Sequence, residues 1–128
     1  MTVLGMGVDV MQPSRIEAAV SRRGEALLRR IFTPGELEYC RRGRNRYQRL
    51  AARFAAKEAA LKALGTGLTG AARWTDVEVA HVEGGAPAIR FCGEVARRAE
   101  DMGVVRVRVS LSHSRDTAVA AVLLLGAP

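Results

Sequence analysis

Three residues have the types and spacing for metal and phosphate chemistry: Asp9, Glu58 and Lys62. Glu58 and Lys62 stand at i and i+4, acid before base, in Arg53-Phe-Ala-Ala-Lys-Glu-Ala-Ala-Leu-Lys-Ala-Leu-Gly-Thr-Gly67, so a helix there puts both on one face. Asp9 is the lone carboxylate of an apolar opening segment, where it is costly to bury without a partner. Carboxylates are hard oxygen ligands, and two of them with waters and a substrate phosphate are the usual way a protein holds magnesium. Lys62 would meet phosphate charge that the metal leaves unneutralised, and Arg53, one turn before Lys57, could offer a planar fork to another phosphate. Lys57 and Lys62 are the only lysines among 20 basic residues, which points to positions that want a compact ammonium on a flexible stem. Each signal alone also has a plainer reading. Asp9 fits a strand-end turn, and a solvated i, i+4 pair is worth only about 0.3–0.5 kcal/mol. Gly65-Thr66-Gly67 leaves backbone open beside the Lys62 face, and also fits a helix C-cap followed by a loop. His113, near a strand end in Ser-Leu-Ser-His-Ser, is a candidate base or ligand contact, whereas His81 alternates with valines and is assigned no role.

The elements that must position these groups follow from periodicity. Leu4, Met6, Val8 and Val10 alternate with Gly5, Gly7 and Asp9, the period-2 pattern of a strand over Val3–Val10. Ser14 and Glu17 have capping-box spacing beside Pro13 and open one amphipathic helix to Arg30 with a strongly basic exposed side. Thr33, Pro34 and Glu36 start a second, short helix through about Cys40. The arginine cluster Arg41–Arg49 leads into a long helix, Leu50–Leu64, rich in Ala and Leu and capped by Gly65. After a glycine-rich loop to Arg73, Asp76–Val82 and Pro87–Phe91 read as a hairpin turning at Gly84-Gly85, and Glu94–Met102 as a helix. Val104–Ser112 and Thr117–Leu125 are two further strands joined by the polar stretch His113–Asp116. The order is βαααββαββ. Short turns favour antiparallel pairing, so the expected class is α+β, an antiparallel sheet packed with the long central helix.

The 128 residues suit a single domain, 1–128, with one core. A net charge of +7 implies an acidic partner. The first helix, with Arg15, Arg22 and Arg23, is a candidate docking surface for an acidic helix. A basic α+β RNA-binding module using Arg41–Arg49 is the rival reading, but the few aromatics are not interleaved with the basic clusters as single-strand binding requires. Cys40 and Cys92 form no CxxC and sit in no zinc-like cluster. No signal peptide is recognisable and the longest apolar run, Ala118–Leu125, is far short of a membrane span. A cytoplasmic protein without membrane or nucleic-acid partners is expected.

The segments Gly5-Met-Gly-Val-Asp-Val10, Ile31-Phe-Thr-Pro-Gly-Glu-Leu37, the run from Ala52 to Gly67, and Val109-Ser-Leu-Ser-His-Ser114 together resemble the holo-[acyl-carrier-protein] synthase family of small bacterial 4'-phosphopantetheinyl transferases. The resemblance runs from Gly5 to about Val122. It implies transfer of 4'-phosphopantetheine from coenzyme A to a serine of apo acyl carrier protein, with adenosine 3',5'-bisphosphate as the other product. It further implies that Asp9 and Glu58 bind Mg2+, which in turn holds the coenzyme A pyrophosphate. Lys62 then meets the α-phosphate, His113 lies at the active site, and Arg15 contacts acidic residues of the carrier. The family's homotrimers, with coenzyme A at subunit interfaces, imply that one protomer is incomplete as an enzyme. Glu58 is the better general-base candidate and His113 the alternative. Ala52 stands where the family often has Gly, and Met6 and Val8 replace the commoner Ile; neither departure touches the chemistry.

Overall fold

A computed structural model describes residues 1–81 and 85–128. Strand β1, Thr2–Met11, is followed by helices α1 (Pro13–Arg23), α2 (Ala26–Ile31), α3 (Pro34–Cys40) and α4 (Arg46–Leu64). A short 3-10 turn, Trp74–Asp76, leads into the hairpin β2 (Val77–His81) and β3 (Pro87–Phe91). Helix α5 (Gly93–Met102) and strands β4 (Val104–Ser114) and β5 (Thr117–Gly126) complete the chain. The α+β class holds. Strands β1, β5 and β4 form one antiparallel sheet with β5 in the middle, and β2 and β3 form a second, two-stranded one.

The long helix lies on the inner face of the larger sheet. Ala55, Ala56, Ala59, Ala60 and Ala63 are buried there with Ala120, Val122 and Leu124 of β5. An alanine surface lets a helix backbone come close, and the strand supplies the matching hollow: Gly5 and Gly7 face the helix, where an added Cβ would lie 2.2 Å from the Ala63 carbonyl oxygen and 2.0 Å from that of Ala59. The apolar side of β1 therefore points away from the core. Met6, Val8 and Val10 are 66, 51 and 53 % exposed, and with Leu123 they form an apolar outer sheet face. A second cluster, with Ile16, Val20, Leu28, Phe32 and Leu50, joins α1–α3 to the N-terminal half of α4.

Several local expectations change. The first helix is two, because Gly24 at φ +80° ends α1 and its N–H closes back on Val20. Ser14 is not an N-cap: Gln12 holds that position, and Ser14 lies inside α1. Its N–H and hydroxyl both donate to the carboxylate of Asp116, at 2.9 and 2.5 Å, so the acid that satisfies the helix start comes from the β4–β5 turn. Helix α4 begins at Arg46, four residues before Leu50, and absorbs part of the arginine cluster. His113 belongs to β4 rather than to the turn, which Arg115 makes at φ +52°. The expected capping box of α3 is present, with Thr33 and Glu36 each accepting from the other's backbone N–H. Val82 and Gly84 of the expected hairpin lie outside the described residues.

A buried ion pair fixes α4 against the smaller sheet. The ammonium of Lys57 is 2.8 Å from Glu36, with both side chains fully buried, and it also donates to the carbonyls of Trp74 (3.1 Å) and Val77. Glu36 in turn accepts from Val79 N and Thr33 N, both at 2.9 Å. Every proton and both carboxylate oxygens are used, the condition under which a buried pair is tolerable. Of the two lysines, Lys57 therefore holds the fold together.

Candidate active site

The side chains singled out on the opening strand and the long helix come together. Asp9 lies on the inner face of β1, half-buried, opposite Ala120. Lys62, reaching from the last turn of α4, places its ammonium 2.7 Å from Asp9 Oδ1 and 3.3 Å from the Val8 carbonyl. That partnership holds the Lys62 ammonium above its ordinary pKa. Glu58, one turn earlier, has its carboxyl raised above the ordinary value, first by burial, then by the negative charge of Asp9, with Lys62 acting in the opposite sense. Phe54, one turn before Glu58, stacks at a tilt on Trp74 with centroids 5.0 Å apart, so apolar rings stand beside the acid.

Glu58 lines two open grooves. One, of about 710 Å³, is lined by residues of β1, α1, α2 and α4, with Asp9 and Glu58 among them, apolar Ile16, Leu28 and Phe54, and Arg15, Arg22 and Arg23 of α1. The other, of about 470 Å³, is lined by Glu58, Leu61, Lys62, Gly65, Gly67, Leu68 and Trp74. Gly65 caps α4 in the left-handed region at φ +76°, and Gly67 follows at φ +61°, conformations that glycine adopts without strain. Thr66 lies between them, its carbonyl accepting from the Thr69 hydroxyl. Arg98 of α5 clamps this loop by donating to the carbonyls of Gly67 (3.3 Å) and Thr69 (2.7 Å). No motif or spacing singles out Arg98; only its contact with the loop marks it out.

Two expected site residues stand elsewhere. Arg53 is 2 % exposed and lines neither groove. Its guanidinium lies 4.2 Å from the centroid of the Tyr39 ring and 2.7 Å from His81 Nδ1, and the His81 ring stacks on Tyr39. The reason is helical: five residues place Arg53 about 140° around the helix from Glu58, whereas Lys57 at i+4 shares its side. His113 is exposed near the end of β4, on the inner face but across β5 from the strand of Asp9, and lines neither groove of the protomer. The arginine cluster is not one continuous patch either, since Arg46 pairs with Glu25 at 2.6 Å and Arg49 lies over Tyr39.

The donor set suits a divalent cation. Two carboxylates from adjacent elements feel one another's charge, leaving other coordination positions to water and substrate oxygens. Among the described residues, no group of three or more His, Cys, Asp or Glu side chains gathers into a closed protein cage. Also among the described residues, no helix is long and apolar enough to cross a membrane.

Residues 5–122 match the model of the 4'-phosphopantetheinyl transferase superfamily. A holo-[acyl-carrier-protein] synthase of Koribacter versatilis is 45 % identical over 122 residues, covering 95 % of this chain and 98 % of that protein. The crystal structure of holo-[acyl-carrier-protein] synthase from Neisseria meningitidis aligns with a TM-score of 0.88 at 34 % identity, covering 97 % of this chain and 99 % of that one. A Bacillus anthracis holo-(acyl-carrier-protein) synthase in complex with CoA (3',5'-ADP) aligns at 0.80 and 30 % identity, covering 99 and 100 %.

Proposed function

The chain belongs to the 4'-phosphopantetheinyl transferase superfamily and transfers 4'-phosphopantetheine from coenzyme A to a serine of apo acyl carrier protein; we propose that the chemistry takes place where its two grooves meet at Glu58. The carrying observation is that one half-buried carboxylate lines both grooves and sits within the field of Asp9. Asp9 and Glu58 would hold a magnesium ion, which when bound supplies positive charge against the pyrophosphate oxygens as the phosphorus is attacked.

The chain's own residues carry the remaining steps. The groove beside Lys62 and the Gly65-Thr66-Gly67 loop receives the phosphates, with Gly65 and Gly67 leaving the backbone unobstructed. The Arg15, Arg22 and Arg23 face of the other groove docks the acidic carrier and brings its serine to Glu58. Glu58 takes the serine proton, because it lines both grooves and so can stand between the cation and the incoming hydroxyl. The serine oxygen bonds to the β-phosphorus as the bond to the bridging oxygen breaks. Lys62, already protonated beside Asp9, neutralises or protonates the departing adenosine 3',5'-bisphosphate.

The enzyme works as a homotrimer. This reading is supported by the uncovered apolar face of Met6, Val8, Val10 and Leu123, and by His113, which stands away from Asp9 within a protomer and would serve a neighbouring copy's site. Cytoplasmic residence is supported by the free thiols of Cys40 and Cys92. The experiment is to incubate the protein with apo acyl carrier protein, coenzyme A and a magnesium series, and to follow the phosphopantetheine increment by mass spectrometry. Asp9→Ala should fold normally and lose metal-dependent transfer; unchanged transfer at low magnesium would remove Asp9 from the site.

A further inference from the structure

We propose that Gly7, with Gly5 behind it, is a positioning residue that sets the strand-to-helix spacing at which Asp9 and Glu58 can share one cation. The inference rests on the reading that these two acids hold that cation. Neither glycine has a positive φ, so the backbone would accept any residue; only space demands glycine there. A Cβ on Gly7 would meet the Ala59 carbonyl oxygen at 2.0 Å, its carbon at 2.9 Å and Ala63 N at 3.1 Å. All of these are backbone atoms of a helix that cannot rotate aside as a side chain could.

The clash lies beside the chemistry. Ala59 directly follows Glu58, and Gly7 precedes Asp9 by two residues on the same strand face. Restoring an ordinary 3.4 Å contact means parting β1 from α4 by about 1.4 Å. Magnesium binds oxygens at about 2.0–2.1 Å in near-octahedral geometry, and workable metal sites hold their distances within about 0.2 Å. The displacement is several times that tolerance. Gly5 acts in the same way one turn along the helix, where its hollow faces Ala63, the residue after Lys62. The flexible stem of Lys62 can follow a strand that moves. The short Asp9 side chain cannot.

The test is direct Mn2+ binding to the enzyme without coenzyme A, read by electron paramagnetic resonance of free Mn2+, with circular dichroism confirming the fold. Gly7→Ala should weaken binding roughly 10–100-fold, the range typical of disturbed support around a metal. Asp9→Glu, a longer arm in an unwidened gap, should weaken binding on its own but restore it in the Gly7→Ala background. That reversal of sign is a result a merely structural glycine would not give. A folded Gly7→Ala with wild-type affinity overturns the proposal, as does Asp9→Glu weakening binding in both backgrounds. If Gly7→Ala does not fold, Gly5→Ala, whose Cβ would meet the Ala63 carbonyl oxygen at 2.2 Å, forces the same parting one turn along the helix and should weaken binding in the same direction; wild-type affinity there overturns the proposal too. Unchanged Mn2+ binding in Asp9→Asn would instead sink the metal reading itself, separately from the spacing.

Discussion

Replacing Lys57 by Met leaves a chain of nearly the same volume with a buried acid and no counter-charge. In the native protein the Lys57 ammonium neutralises Glu36 at 2.8 Å and fills the carbonyls of Trp74 and Val77, all away from solvent. Burial pulls its pKa down while the Glu36 carboxylate supports the charged form. Truncating one partner of such a pair costs about 3–5 kcal/mol, chiefly because the other charge stays behind. With 128 residues at about 2.1 cal/mol/K each, the unfolding entropy is roughly 0.27 kcal/mol/K, so Tm should fall by about 11–19 °C. The assay is calorimetric or circular-dichroism melting of Lys57→Met, Glu36→Leu and the double variant, all at one protein concentration, since Tm depends on concentration for any protein that self-associates. The double variant should lose clearly less than the sum of the singles, since it removes the orphaned charge. A fall of under about 3 °C for Lys57→Met, or strictly additive losses, would refute the account of the pair as mutually dependent.

Arg15→Glu should raise KM for carrier protein and leave KM for coenzyme A nearly unchanged, as steady-state kinetics with each substrate varied would show. In metal-free protein, Glu58 has a folded pKa above its unfolded 4.5, so the native state binds more protons between the two values and stability falls as pH rises through that window. Urea melts across pH should show that fall in the wild type and its loss in Glu58→Gln, which should also abolish transfer. Asp116 has the opposite shift, lowered by the hydroxyl and N–H of Ser14, so its support is present above pH 3.8 and disappears as pH drops through the lower folded value; Asp116→Ala should lose that acid-side dependence in the same melts. Met6→Asp, on the exposed face of β1, should give dissociated, poorly active protein in analytical ultracentrifugation and turnover assays.

The proximity of the proposed acids and Lys62 is readable because each obeys a local rule. A period of two put Asp9 with the glycines, and a spacing of four put Glu58 beside Lys62. What the sequence could not say is that the glycine side of the strand would face the core, leaving Met6, Val8 and Val10 outside. An amphipathic pattern in one chain does not tell a core from a face another subunit can cover. Residue type alone groups Arg53 with the phosphates, although its five-residue offset from Glu58 turns it to the side that Tyr39 and His81 occupy. The Glu36–Lys57 pair left no local mark because its partners sit on helices distant in sequence, and only the unusual presence of lysine hinted at it. Ser14 satisfied the capping spacing, yet the carboxylate that binds it arrives from the far end of the chain.

A carboxylate shared by two openings has a kinetic meaning. With the phosphates in one groove and the carrier in the other, as proposed, both substrates can be resident together, so neither must depart before the other arrives. Initial-rate plots should then intersect, as in a ternary-complex mechanism, and no phosphopantetheinyl group needs to rest on the enzyme between half-reactions.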